Sequence, residues 1–311
     1  MSTVVDPLSA EAAPARGSGP SIVRKLLVNG GVRFGGVILV LLLLIALAAP
    51  GLGTLDPAFL DPTYRNKLPL ETHPILNDDG EEVIVTHWMG TDTLGRDLYS
   101  RVIYGTRVSL IVGFSVALLA VGIGLTIGLV SGYIRWLDAV VMRVMDGLMA
   151  IPGILLALGL VALWGAGLLT VILAIAVPEI PRVVRLVRSV VLSVREEPYV
   201  EAAISVGTPT PLILYRHILP NTIAPLIVQA TYTCASAILV EAILSFLGVG
   251  IPTDIPTWGN IMAEGRLLFR VYPHAILFPG IFLALAVLAV NTLGDGLRDT
   301  LDPRFAKRGE G

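Results

Sequence analysis

A helix crosses the hydrocarbon layer of a bilayer when about 20 consecutive residues are mostly apolar. This chain meets that condition repeatedly, at roughly 32–50, 108–132, 139–163, 167–187, 221–248 and 275–296. No other feature restricts its fold as much. Backbone N–H and C=O groups in lipid must be bonded within the spanning segment itself, and long continuous apolar runs meet that demand as α-helices. The expectation is an all-α, polytopic membrane protein of about six transmembrane helices. Composition agrees. Of the 311 residues 15% are charged, against roughly 25% in a soluble protein, and the mean hydropathy is +0.79. The net charge of -2 gives no reason to expect a nucleic-acid partner. A single cysteine, Cys234, excludes an intrachain disulfide and a cysteine-based metal site. The four histidines, His73, His87, His217 and His274, are scattered, with no pair at ligand spacing on one helix.

Orientation follows from Lys and Arg in short loops, which stay cytoplasmic. Arg24, Lys25 and Arg33 flank the first span; Arg135 follows the second; Arg182, Arg185, Arg188, Arg195 and Arg216 crowd the region after the fourth; Arg298, Arg304, Lys307 and Arg308 follow the sixth. All fall on one side if both termini are cytoplasmic. Arg96, Arg101 and Arg107 lie in the opposite, 51–107 segment, which is long enough to cross regardless of charge. Residues 1–21, rich in Ala, Pro, Ser and Gly, read as a disordered tail. Ala46-Leu47-Ala48 resembles a signal cleavage site. The long polar lead and the membrane-embedded remainder favour a retained first span.

Helices in lipid associate where small residues allow close approach. Ala120, Gly124, Gly128 and Gly132 recur every four residues and form a packing stripe on the second span. Pro152, Pro178 and Pro181 fall within or at the ends of spans and should bend them. Charges inside the apolar runs cost about 2.5–3.5 kcal/mol each on insertion scales and so should face protein or water. These are Arg143 and Asp146, one turn apart and expected to pair; Glu179, expected to pair with Arg182; and Glu241. Asp146, Glu179, Glu241 and Ser245 are the candidate pathway or intramembrane polar residues.

The stretch of about 195–220 is the charged loop between the fourth and fifth spans. Residues 182–200 read as helix leaving the membrane, with Arg182, Arg185 and Arg188 near one face, suited to lipid head groups or an acidic partner. Tyr199 to Val206 reads as a short helix ended by Gly207. Thr208-Pro209-Thr210-Pro211 forces a connector, Leu212 to Leu219 restarts a helix, and Pro220 begins the next span. Such a loop serves a soluble partner better than it serves a bilayer.

The spacing Glu201-Ala202-Ala203, Gly207, His217-Ile218-Leu219-Pro220 resembles the EAA loop of permease subunits from bacterial ABC importers. Three further segments are similar to the dipeptide/oligopeptide/nickel branch, in its second (C-type) permease. They are Met89-Gly90-Thr91-Asp92-Thr93-Leu94-Gly95-Arg96-Asp97; Glu241 with Leu244-Ser245-Phe246-Leu247-Gly248; and Gly294-Asp295-Gly296-Leu297-Arg298-Asp299 with Leu301-Asp302-Pro303-Arg304. The stretch 61–87, with its acidic run at 77–82, looks like an inserted hairpin.

The resemblance implies a type I ABC importer permease in the bacterial cytoplasmic (inner) membrane. It would pair with a homologous permease as a heterodimer, two cytoplasmic ATPase subunits and an extracytoplasmic substrate-binding protein. Glu201, Ala202, Ala203, Gly207 and Arg195 would couple to the ATPase. Peptides are the implied cargo, with nickel chelates or other small solutes by the same mechanism, or an ion-coupled secondary transporter, as alternatives. ATP and Mg would belong to the partner subunits, and this chain would be a non-catalytic subunit without a bound cofactor. The residues agree independently: a phosphate-cradling loop needs a lysine in G-x-x-x-x-G-K-[ST], and none of Lys25, Lys67 and Lys307 stands in that context. The implied organisation is a cytoplasmic tail (1–31), a first helix (32–50), an extracytoplasmic segment (51–107), a five-helix core (108–300) and a cytoplasmic end (301–311).

Overall fold

The computed structural model describes residues 22–76 and 82–301. The tail 1–21, residues 77–81 of the acidic run, and Asp302-Pro303-Arg304 with Lys307 and Arg308 lie outside them. The chain enters through a short helix, α1 (Ile22–Val28). Asn29 then breaks the helix and caps the next one, α2 (Gly30–Ala48), its side-chain oxygen accepting from Gly31 N and Val32 N. The segment before the second long helix holds an antiparallel ribbon, β1 (Glu71–Leu76) and β2 (Glu82–His87), with Glu71 opposite His87 and His73 opposite Val85. This ribbon, within the expected hairpin, is the one departure from an all-α architecture among the described residues.

The rest is helical: α3 (Leu98–Tyr133), α4 (Arg135–Ala150), α5 (Gly153–Trp164), α6 (Leu168–Arg195), α7 (Pro198–Ser205), α8 (Thr210–Ile213), α9 (Leu219–Phe246), α10 (Trp258–Gly265) and α11 (His274–Leu301). A π-helical turn, Leu214–Ile218, joins α8 to α9. Pro220 therefore sits in the first turn of a helix already under way, not at the start of a separate span.

Four helical stretches among the described residues are long and apolar enough to cross a membrane: Gly30–Gly51, Leu98–Tyr133, Thr210–Phe246 and His274–Leu301. The six expected spans need two corrections. The third, 139–163, is broken: α4 and α5 meet at 88°, so the pair makes at most one bent span. Ile151 and Pro152 are extended there, and the proline has no N–H to continue the helix. The fourth, α6, is 28 residues long, but every 18-residue stretch of it holds at least three charges, beginning with Glu179, Arg182 and Arg185. The helix that holds the second span begins earlier than its apolar run, at Leu98, capped by Asp97 through Ser100 N. At 36 residues it is about 54 Å long, against a hydrocarbon core of about 30 Å.

Close helix crossings hold these elements together. Gly124, Gly128 and Gly132 of α3 lie directly on Val183, Val187 and Val191 of α6; a Cβ on Gly124 would stand 2.5 Å from the Val183 Cβ. The small-residue stripe lies at this crossing. Gly35 of α2 meets the backbone of Ala289 and Leu293 on α11 in the same way. Around these crossings lie three apolar clusters. Leu42, Leu110, Ile238, Trp258 and Val290 join α2, α3, α9, α10 and α11. Val112, Val161, Ile175 and Leu244 join α3, α5, α6 and α9. Val187, Val200, Ile213 and Ile218 seat the loop helices against α6.

Candidate functional site

The 195–220 loop has a packed base and an exposed apolar tip. Val200 of α7, with Ile213 and Ile218, is buried against α6, and Ala203 is buried as well. Glu201 and Ala202 face outward on the other side of α7. Gly207 follows with φ +79°, a left-handed conformation that glycine adopts without strain, and reverses the chain into α8. Nothing stands within 4 Å of where its Cβ would be. Val206, 81% exposed, and Tyr215, 72% exposed, project with Ile204 and Leu212. The reversal is buttressed by Asn221, whose Nδ2 donates to the His217 carbonyl at 2.7 Å and to the Tyr199 hydroxyl at 3.3 Å. Arg195 donates to the Tyr133 carbonyl at the end of α3, so the loop's root is tied to that helix.

The arginines that lead into the loop are partnered within the chain. Arg182 donates to Glu179 (2.9 Å), Arg185 to Asp146 (2.6 Å), and Arg188 grips both oxygens of Asp138, one at 2.7 Å. This also corrects the expected Arg143–Asp146 pair: α4 runs beside α6, which brings Arg185 to the carboxylate instead. Only Met145 of α4 is buried among apolar neighbours. Two ion pairs therefore do much of the work of holding α4 to α6.

The two acids of the apolar runs differ in surroundings. Glu179 is buried with Arg182 and the Ser236 hydroxyl (3.3 Å). Glu241 is fully buried, accepting from Ser245 (2.8 Å) on its own helix and Ser109 (3.3 Å) on α3. Glu241 and Ser245 thus form a polar tie between helices. A cavity of about 690 Å³ lies elsewhere, between α6, α9 and α11, lined by Asn221, Pro225, Gln229, Tyr232 and Arg298 among others. Its lining includes none of Asp146, Glu179, Glu241 and Ser245.

The segment before α3 holds groups whose arrangement the linear spacing does not disclose. Arg96 and Arg101, which broke the charge rule, are buried and paired: Arg96 Nε donates to Asp92 (2.6 Å), and both guanidinium groups reach Glu264 on α10. The 89–97 motif is thereby pinned to α10. Gly90 and Gly95 in it have φ of +82° and +80°, and a Cβ on Gly95 would fall 1.7 Å from the Asp61 carbonyl oxygen. His73 and His87, read as scattered, are in contact: the ribbon puts them on one face, diagonal to each other, with His87 Nε2 2.9 Å from His73 Nδ1. Their even separation, 14 residues, was the available signal. It is informative only once the register is known.

Comparison with known proteins follows this geometry. Residues 98–307 match the family model described as binding-protein-dependent transport system inner membrane component. A probable peptide ABC transporter permease of Sinorhizobium fredii is 53% identical over 277 residues, 89% of this chain and 90% of that one. A dipeptide transport system permease of Alkalihalophilus pseudofirmus is 41% identical over 87% of this chain and 85% of its own length. A glutathione transport system permease of Escherichia coli is 43% identical over 70% and 73%. Among solved structures, the inward-facing MetNI methionine ABC transporter superposes with a TM-score of 0.54 at 19% identity, covering 66% of this chain and 98% of that one. That likeness concerns the fold: an all-α, polytopic permease of the type I importer class.

Proposed function

The chain belongs to the family of binding-protein-dependent transport system inner membrane components, and from that premise we propose that it is the permease subunit of an ATP-driven peptide importer in the bacterial inner membrane. It forms half of a transmembrane path with a homologous permease. A substrate-binding protein delivers cargo from outside, and two ATPase subunits, which hold ATP and Mg, dock on the 195–220 loop. The supporting observation is that loop's construction: an exposed apolar tip around Val206 and Tyr215, carried on a buried base. A projection whose base is packed against α6 and bonded to α3 can transmit force; a floppy one cannot. Glu201, Ala202, Ala203 and Gly207 form the docking turn in this reading, and Arg195 ties it to the helices that must move.

Peptide is the cargo class that fits the relatives' names, with di- and oligopeptides foremost. The test is reconstitution of this chain with its partner permease and ATPase in proteoliposomes, with and without Val206→Asp. A charge at an apolar docking tip should lower ATPase co-purification at least tenfold and abolish ATP-driven dipeptide uptake while leaving membrane insertion intact. Unimpaired ATPase association and uptake in that variant would remove the loop from the coupling role.

A further inference from the structure

We propose that Asp61, His73, His87 and Asp97 form a proton-binding site that closes the segment before α3, taking up one proton beyond those carried by two neutral imidazoles. The four side chains are linked in series. Asp97 Oδ1 lies 2.8 Å from His87 Nδ1, His87 Nε2 lies 2.9 Å from His73 Nδ1, and His73 Nε2 lies 3.3 Å from Asp61 Oδ2. The series joins four pieces of the fold: the turn at Asp61, β1, β2 and the N-cap of α3. Both histidines are buried, and Asp61 is the end that solvent reaches.

Three links need three hydrogens. Each neutral imidazole carries one N–H, and ionised carboxylates carry none. Two protons therefore serve three links. Asp97 can only accept, so His87 gives it the Nδ1 hydrogen, and His87 Nε2 becomes an acceptor. The shorter ring–ring contact, 2.9 Å against 3.3 Å at Asp61, assigns the His73 Nδ1 hydrogen to His87. This leaves the His73 Nε2 lone pair facing the Asp61 carboxylate. That link is the longest of the three and the nearest to water. One added proton on His73 Nε2 completes the series and changes the net charge of the four groups from -2 to -1.

The surroundings fix where the proton sits and when it arrives. Thr63 donates both its N–H and its hydroxyl to Asp61 Oδ1, which holds that carboxyl below the ordinary 3.8 and leaves Oδ2 for His73. The added proton therefore belongs to the ring. Burial pushes His73 below the ordinary histidine value of 6.5, against the hydrogen bond and charge of Asp61. Lys67 also opposes the proton, its own charge being shared with Glu71 and the Tyr64 ring, and Tyr64 stacks on His73 with centroids 3.4 Å apart. The site therefore fills at a lower pH than an ordinary histidine would.

The sign of the effect differs between the turn and the whole fold. A buried base with a lowered pKa contributes stability that is present above pH 6.5 and lost as pH falls through the folded value. The turn at 61–66 behaves oppositely, because the proton converts a lone-pair–carboxylate repulsion into a charge-assisted hydrogen bond. Acid tightens the turn onto β1 even as it lowers global stability.

The test is hydrogen–deuterium exchange on the full chain in its assembled transporter, from pH 5 to pH 8, corrected for intrinsic exchange rates. In the unmodified protein, protection of the 61–66 amides should rise severalfold as pH falls, at a lower pH than an ordinary histidine would give, with a one-proton dependence. Asp61→Asn supplies the missing hydrogen covalently: its Nδ2 donates to neutral His73 Nε2 while Oδ1 still accepts from Thr63. That variant should be equally protected at pH 5.5 and 7.5. A flat profile in the unmodified protein, or an unchanged pH response in Asp61→Asn, would overturn the site. Neither result depends on the transport reading, since exchange is measured without substrate or ATP.

Discussion

At the scale of single residues, the most informative contrasts are between positions of the same type. Gly122 and Gly128 lie on one helix, but only Gly128 rests on Val187, with 2.7 Å available to a Cβ. Gly122 has nothing within 4 Å. Gly128→Ala is expected to destabilise by roughly 1–3 kcal/mol through overpacking. Gly122→Ala should be neutral or stabilising by up to about 1 kcal/mol, because alanine is the better helix former. Thermal unfolding of the two variants in one detergent would check this; equal shifts would count against the α3–α6 crossing. Glu241 provides a second contrast. Glu241→Gln keeps an acceptor for one serine and offers an N–H to the hydroxyl oxygen of the other, and should leave the unfolding temperature within a few degrees. Glu241→Ala empties the site and strands two hydroxyls, at roughly 2–4 kcal/mol. If glutamine proved as damaging as alanine, the carboxylate's charge, and not its hydrogen bonds, would be what the helices need.

At the scale of elements, α4 is the weakly packed part of the bundle and so the place where ionic contacts have leverage. An ordinary ion pair contributes up to about 1 kcal/mol. With one buried apolar side chain on α4, the Asp138–Arg188 and Asp146–Arg185 pairs are a large share of its attachment. Asp138→Lys is expected to raise the rate of tryptic cleavage at Arg135 and Arg143 about fivefold, the factor corresponding to roughly 1 kcal/mol. The exchanged pair Asp138→Arg with Arg188→Asp should return it towards the original rate. Persistence of fast cleavage in the exchanged protein would mean that α4 is held by something other than this pair. The apolar runs made α2, α3, α9 and α11 legible from the sequence, because 20 apolar residues have one outcome in lipid. The break between α4 and α5 was legible only as a proline. Whether a proline bends a helix slightly or ends it depends on what the two halves then pack against, here Pro178 of α6 lying beside Gly153.

At the scale of the whole molecule, orientation across the membrane can be read with one exposed side chain. Arginine placement argues that the 195–220 loop is cytoplasmic and the ribbon external. Ile84, 73% exposed on β2, provides the probe. In a Cys234→Ala background, Ile84→Cys should react with a membrane-impermeant thiol reagent in cells with a permeabilised outer barrier, before lysis. Reaction only after lysis would invert the orientation and with it the docking face. The same scale explains how Arg96 and Arg101 could stand on the external side: buried pairing with Asp92 and Glu264 removes them from the population of free loop charges.

The sequence by itself determined the solvent of this protein, its helical class, the α3 packing stripe and the turn at Gly207. Each is set by local composition or by a φ that one residue type favours. Tertiary structure decided the pairings: Asp146 with Arg185, Arg96 and Arg101 with Glu264, and His73 with His87. Partners such as Arg101 and Glu264 are 163 residues apart in the chain. Their meeting depends on the register of a ribbon and the crossing of helices, which side-chain identity alone does not encode.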